Sequence, residues 1–396
     1  MEISVRPGDS LWYYSQLFGV PLQLIEASNS QINQGQLMVG SRIMIPGYLL
    51  SEYKIKPNDT IWTIAMRNNI PLDRLQVVNQ GINPAYLQVG QNLNLPERVT
   101  NMVVTDVDNY TYEKMVEDIN QLLSIYPFIM NQTIGNSVMG KNIIELQVGI
   151  GPKEVHVNGS FHANEWITTP IIIRFLNQYA LSLTNNVPIR GLFMHPFFAN
   201  TRLSLVPMVN PDGVNLVING STSAGEHETA VLEINNHSED FSNWKANIRG
   251  VDLNNQYPAQ WETEAARKPT APAPRDYPGT GPLTEPEAIA MANLARERNF
   301  RRMNAFHTQG EVIFWGFQGM EPPEAETYVN EYERVSGYTP IRFVDSYAGY
   351  KDWFIQEFRR AGFTVELGTG VNPLPIEQFP EIYEETLGVL LANLYL

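Results

Sequence analysis

A chain of 396 residues is long enough for one large hydrophobic core plus smaller modules. Its formal net charge of −15 argues against a nucleic-acid partner, which calls for a basic face. With no cysteine, disulfides and thiolate metal sites are excluded, so any metal must rest on His, Asp or Glu. The opening Met1-Glu-Ile-Ser-Val5 lacks the basic and apolar regions of a secretory signal, and no apolar run approaches the roughly 18 residues of a membrane span. A soluble protein that starts in the cytoplasm, with no membrane partner, is the expectation.

The first hundred residues hold an internal repeat with a period of 50. Val5-Arg-Pro-Gly-Asp-Ser-Leu-Trp12 aligns with Ile55-Lys-Pro-Asn-Asp-Thr-Ile-Trp62, and Ile25 and Asn29 align with Leu75 and Asn79. The endings Val39-Gly40 and Ile45-Pro46 align with Val89-Gly90 and Leu95-Pro96. In each unit a short strand leads to Asp-Ser or Asp-Thr, a helix N-cap signal. A Pro-led second helix then carries Ile25 or Leu75 inward, and a closing strand stops at Pro. Two small βααβ units follow, with 47–54 as a linker between them and 97–102 as a second linker. Core packing is the expected role of Trp12 and Trp62.

The (Val/Ile)-x-Pro-x-Asp-(Ser/Thr)-(Leu/Ile)-Trp opening and the (Val/Leu)-Gly-x-x-(Ile/Leu)-x-(Ile/Leu)-Pro ending resemble the LysM module, over residues 1–48 and 52–98. That resemblance implies binding of N-acetylglucosamine-containing glycan, chiefly peptidoglycan or chitin.

From about 103 the texture becomes α/β. Tyr112 to Leu123 has helical spacing, and 143–150 and 153–157 alternate like strands. The strand ending at Val157 runs into Asn158-Gly-Ser-Phe-His-Ala-Asn-Glu165 and then an apolar helix. His162 and Glu165, three residues apart at a strand-to-helix junction, can converge on a metal. His-x-x-Glu often arises by chance, so the pair gains meaning only with further groups downstream. His307 lies at the end of an apolar strand, where ligands gather in α/β sheets. Glu366 is the single carboxylate in the apolar run 363–367 and needs a partner or a task. His156 is expected to be structural, and His227 and His237 solvated. Thr284-Glu-Pro-Glu287 reads as a capped helix start with Thr284 as N-cap. Alternating strands and helices imply a mixed sheet flanked by helices over 103–396.

Five blocks in order, His162-Ala-Asn-Glu165, Val209-Asn-Pro-Asp-Gly213, Gly250-Val-Asp-Leu-Asn254, Ala305-Phe-His307 and Thr364-Val-Glu-Leu367, resemble the zinc carboxypeptidase family. The resemblance implies one Zn²⁺ held by His162, Glu165 and His307, with Glu366 as general base and acid. Lys245 of Trp244-Lys245 stands where the family has an Arg beside the oxyanion; it supplies charge without a bidentate fork. Asn254 and Asn255 stand where the family has an Asn-Arg pair that grips a terminal carboxylate, so Asn255 loses the cation. Asn164 likewise replaces a common Arg. Tyr347 is the candidate for the family's mobile tyrosine, with Tyr350 as the alternative.

The two halves together resemble the bacterial γ-D-glutamyl-L-diamino acid endopeptidases. The expected function is therefore zinc-dependent hydrolysis of the bond between D-glutamate and meso-diaminopimelate or lysine in muropeptide stems, targeted to wall glycan by the LysM modules. Arg249 and Arg202 are candidates to read a charged group of the diamino acid, with structural roles as the alternative. Two other readings are a carboxypeptidase that removes one terminal residue and a non-catalytic peptidoglycan-binding protein. With no leader, a wall-directed activity suggests recycling of wall fragments or release by lysis, as from a sporulating mother cell.

Overall fold

The computed structural model describes residues 1–32 and 37–396. The chain divides into two compact units, one of Met1–Val103, Ile119–Met130 and Asn177–His195, the other of Val104–Asp118, Asn131–Leu176 and Pro196–Leu396.

In the first unit, β1 (Glu2–Ser4), α1 (Leu11–Phe18), α2 (Leu22–Ser28) and β2 (Arg42–Met44) form one βααβ module; β3 (Tyr48–Lys54), α3 (Ile61–Arg67), α4 (Leu72–Val77) and β4 (Asn92–Arg98) form the second. Each first helix starts at the expected cap. The Ser10 hydroxyl accepts the Tyr13 N–H, and Thr60 and Thr63 satisfy each other's N–H groups reciprocally. Ile25 and Leu75 are fully buried. The aligned asparagines explain their place in the repeat. Asn29 donates to the carbonyls of Ile25 and Met44 and accepts the Met44 N–H; Asn79 makes the same three bonds to Leu75 and Asn94. Each therefore staples the second helix to the closing strand.

Two expectations fail here. Segment 47–54 is not a linker: β3 pairs antiparallel with β4 along its whole length, from Tyr48 opposite Arg98 to Lys54 opposite Asn92. The second module thus has a longer ribbon than the first, and β4 runs through Glu97 and Arg98, which had read as linker. Trp12 and Trp62 are not in the core either, being 62% and 58% exposed. They follow the first helical residues, Leu11 and Ile61, which face inward; the next position on a helix turns about 100° away.

Beyond the modules come α5 (Tyr112–Ile125), β5 (Met130–Asn136), β6 (Asn142–Val148), β7 (Lys153–Asn158), α6 (Thr168–Asn185), α7 (His195–Asn200), β8 (Thr201–Val206), α8 (Pro211–Asn219), α9 (Glu228–Ile234), α10 (Trp261–Ala265), α11 (Pro286–Glu297), β9 (Arg302–His307), β10 (Val312–Phe314), α12 (Glu324–Ser336), β11 (Thr339–Ile341), α13 (Tyr350–Phe358), β12 (Ala361–Glu366) and α14 (Phe379–Tyr395). The eight strands form one mixed sheet ordered β11-β10-β12-β9-β7-β8-β6-β5. Its centre, β12-β9-β7-β8, is parallel. Consistent with burial on both faces, every residue of β9 is buried. Phe161, Met291, Met303, Phe354, Tyr257 and Trp353 belong to one of its core clusters.

Thr284 does not cap α11; Glu285 holds that position without a side-chain bond, and the Thr284 hydroxyl instead contacts Gln256 Oε1. The capping-box partner Glu287 is turned inward, accepting the Val138 N–H at 3.1 Å. His156 stays inside β7, bonded to the Ser204 hydroxyl at 2.9 Å. Among the described residues no helix is long and apolar enough to cross a membrane.

Candidate active site

The parallel centre of the sheet sets the site. Glu366, last residue of β12, is register partner of His307, last residue of β9, and β7 ends beside them where Asn158 pairs with Ala305. The chain leaving β7 turns through Gly159 and Ser160 into a 3₁₀ turn, Ala163–Glu165, preceded by His162. A Cβ on Gly159 would meet Thr168 Oγ1 at 2.9 Å and Ile172 at 3.0 Å, so the turn needs glycine there. His162, Glu165, His307 and Glu366 thus reach one point because three parallel strands end together.

His162 Nδ1 lies 2.8 Å from Glu165 Oε1 and 3.2 Å from His307 Nδ1, which in turn lies 2.9 Å from Glu165 Oε2. These three buried residues are the one group of possible metal ligands among the described residues, their ligand atoms all within 4.8 Å of one another. Two imidazole nitrogens and a carboxylate facing a common point form a donor set that suits a cation, and the N/N/O chemistry suits zinc. Three more groups brace it. Asp252 Oδ1 contacts His162 Nε2 at 3.2 Å, the Thr308 N–H donates to Glu165 Oε2 at 3.3 Å, and Asn372 bonds both the side chain and the carbonyl of Thr308.

The charges are strongly coupled. Burial opposes a charge on His162, but Glu165 and Asp252 outweigh it and push the imidazole up to about 9. Asp252 is held well below the usual carboxylate range: burial works against it, and His162 and Lys245 prevail. Lys245 Nζ stands 3.5 Å from Glu165 Oε1. Burial and the nearby Glu165 carboxylate push Glu366 up, so a proton is more readily held there than on an exposed glutamate.

A cavity of about 220 Å³ opens beside this group, lined by His162, Lys245, Asp252, Asn254, Asn255 and Glu366 near the metal-ligand cluster and by further residues including Lys268, Asp276, Lys351, Asp352 and Thr364. Asn254 Oδ1 accepts the Tyr350 N–H at 3.0 Å, so its donor end is what Asn254 has left to offer the cavity. Asn164 is buried with its amide donating to the Ser242 carbonyl, so the replaced Arg leaves no polar group on the wall.

Four sequence-based candidates lie elsewhere. Arg202 sits near the start of β8, beside Glu154 at the start of β7 and ion-paired to it at 3.3 Å, at the end of the strands opposite the site. It does not line the cavity described above. Arg249 is half-exposed and paired with Glu285 at 3.4 Å, off the cavity wall. Tyr347 is also off the wall: its ring packs against Phe317 and under the Arg267 guanidinium, and its neighbour Ser346 lines the cavity instead. Tyr350 is fully buried in the core. Conversely, Lys351 and Asp352 were missed, because adjacent opposite charges at a helix start read as a solvated turn.

This constellation defines the class. The chain belongs to the zinc carboxypeptidase family, whose profile matches residues 115–388, more than half of the sequence; the LysM domain profile matches residues 3–46 and 53–96. The chain is 62% identical over 396 residues, all of both chains, to γ-D-glutamyl-L-diamino acid endopeptidase 1 of Lysinibacillus sphaericus. It is 48% identical over 290 residues to the YqgT protein of Bacillus subtilis strain 168, covering 72% of this chain and 77% of that one. Among solved structures, thrombin-activatable fibrinolysis inhibitor shares the fold, with a TM-score of 0.56 at 19% identity over 72% of this chain and 75% of that one.

Proposed function

We propose that the protein is a zinc-dependent peptidoglycan peptidase that hydrolyses the bond between the γ-carboxyl of D-glutamate and a diamino acid in muropeptide stems. The observation that carries this reading is the end-to-end similarity to a relative named for that activity, joined to a donor set and a neighbouring carboxylate suited to metal-assisted hydrolysis. The two βααβ modules, the first closing with β2 and the second opening with β3, are the glycan-binding part, taking N-acetylglucosamine-containing wall polymer, and 103–396 is the catalytic domain. Cell-wall degradation after release from a sporulating mother cell fits a chain with wall-binding modules.

His162, Glu165 and His307 would hold one Zn²⁺ per catalytic domain. Zinc at that point would supply a Lewis acid that polarises the scissile carbonyl and makes water acidic near neutral pH. The Glu366 carboxylate takes a proton from water as its oxygen bonds to the γ-carbonyl carbon, and gives that proton to the leaving nitrogen as the C–N bond breaks. The products are a γ-carboxylate and the free amine of the diamino acid. Lys245 sits where negative charge develops on the former carbonyl oxygen, in a partly desolvated position where a fixed cation counts most. Asn254 and Asn255 donate hydrogen bonds to substrate without neutralising a terminal carboxylate. That favours cleavage within a stem over removal of any free C-terminal residue.

Mass spectrometry of L-Ala-γ-D-Glu-meso-diaminopimelate after incubation with the zinc-loaded protein, with and without chelator, tests the reading. Release of diaminopimelate that the chelator abolishes is the expected result; an intact tripeptide, together with intact longer stems, overturns it.

A further inference from the structure

The block Val209-Asn-Pro-Asp-Gly213 supplies no residue to the cavity wall. Its Asn210 is instead fully buried between two segments of the site. The side-chain amide donates to the Phe161 carbonyl at 3.3 Å and to the Ala246 carbonyl at 3.0 Å. Phe161 directly precedes His162, and Ala246 directly follows Lys245. The main chains of these segments meet as well. The Ala163 N–H donates to the Lys245 carbonyl at 3.1 Å, and the Asn210 N–H to the Ser160 carbonyl at 3.0 Å. The rest of the block serves the same contact. Pro211 opens α8, and Asn210 Oδ1 accepts the Gly213 N–H at 3.1 Å as the helix cap. A Cβ on Gly213 would stand 2.7 Å from the Ala246 carbonyl oxygen, so glycine is needed for α8 to approach the Lys245 segment this closely.

An asparagine amide has two N–H donors, matching the two carbonyls it bridges. A lysine ammonium rides on a flexible four-carbon stem, so it is placed only as well as its backbone is placed. A fixed cation acts through its position relative to the reacting atoms, and a misplacement of about 1 Å costs on the order of 10²-fold. We propose that Asn210 is a positioning residue for the hydrolytic step. It bridges the turn that carries His162 and the segment that carries Lys245, and so keeps the Lys245 ammonium facing the developing oxyanion. It touches no substrate and acts through Lys245. This rests on the peptidase reading above and adds to it the residue that holds the two halves of the site together.

The test is a double-mutant cycle in the full-length zinc-loaded protein, with L-Ala-γ-D-Glu-meso-diaminopimelate as substrate. Asn210→Ser keeps a cap for α8 and removes the amide. Alone it should lower kcat by about 10- to 100-fold with little change in KM, and zinc content by elemental analysis should stay the same. In the Lys245→Met background it should change kcat by no more than about 2-fold, because the cation it positions is gone. A merely structural asparagine would cost activity equally in both backgrounds. An equal loss in both, a loss that follows zinc, or no loss at all overturns the proposal. If Asn210→Ser fails to fold by near-ultraviolet circular dichroism, Asn210→Asp takes its place in the cycle, since it also caps α8 and lacks the amide. Failure of both variants to fold assigns Asn210 to the scaffold and overturns the proposal. Wild-type protein that cleaves no stem peptide overturns the peptidase reading, and the role of Asn210 with it.

Discussion

Asp252 meets His162 at Nε2, 3.2 Å away, on the far side of the ring from Glu165 and His307. Its carboxylate is itself held, because Oδ1 also accepts the Asn254 N–H at 3.0 Å. This fixes the proton on Nε2 and leaves the Nδ1 lone pair for a metal, a division of labour common where a histidine serves as ligand. Replacing Asp252 by Ala should weaken zinc affinity by about 10- to 100-fold, read by competition with a chromogenic chelator. An unchanged affinity would remove Asp252 from this role.

Glu366→Gln keeps size and polarity but cannot accept a proton. Stem cleavage should fall by at least roughly 10²-fold, with zinc content by elemental analysis unchanged. Wild-type turnover by the variant would end the assignment of Glu366.

Lys245 makes a different prediction, since its proposed role is to face charge that develops in the transition state. Lys245→Met should lower kcat by about 10²- to 10³-fold with a much smaller change in KM, and Lys245→Arg should recover part of the loss. Steady-state kinetics on the same tripeptide separate this from a binding role, in which KM alone would rise.

Because Trp12 and Trp62 stand in solvent rather than in the core, Trp12→Ala and Trp62→Ala should each change stability by no more than about 0.5 kcal/mol. If these rings serve the glycan modules, pull-down by insoluble peptidoglycan should drop while cleavage of soluble tripeptide is untouched. A large loss in thermal stability would return both to structural roles.

Burial pushes Glu287 up to about 7 from an ordinary 4.5. The folded state therefore binds more protons than the unfolded chain between these values, and this group's contribution to stability is lost as pH rises through that window. The penalty is fully developed above about pH 7, on the order of 3 kcal/mol for such a shift. Glu287→Gln should gain stability relative to wild type as pH climbs from 4.5 to 8 and show no gain at pH 4, in denaturant melts at each pH.

Much of this was legible from local chemistry. Ser10 and Thr60 announce their helices because a cap is a contact between residues three apart. His162, Glu165, His307 and Glu366 are marked by type and by placement at strand ends. The failures come from tertiary choice. Residues 48–50 joined the strand because β4 continues past Leu95 to pair with them, and nothing in residues 47–50 encodes that partner. Thr284 lost its cap to Glu285 because Gln256, far away in sequence, holds its hydroxyl. Arg202 could be assigned only once the strand order showed which end of β8 faces the site. For Lys351 and Asp352, burial depends on the cavity wall around Gly316 and Gly349, which no local pattern reveals.

The one-to-one pairing of β12 with β9, from Ala361 opposite Arg302 to Glu366 opposite His307, has an evolutionary consequence. Side chains alternate faces along a strand, so a slip of one residue in β12 would send the Glu366 carboxylate to the other side of the sheet. A single-codon deletion between Ala361 and Val365 would thus silence hydrolysis while leaving every catalytic side chain in the gene. The LysM domains would be untouched, so one mutational step would separate them from the chemistry of the catalytic site.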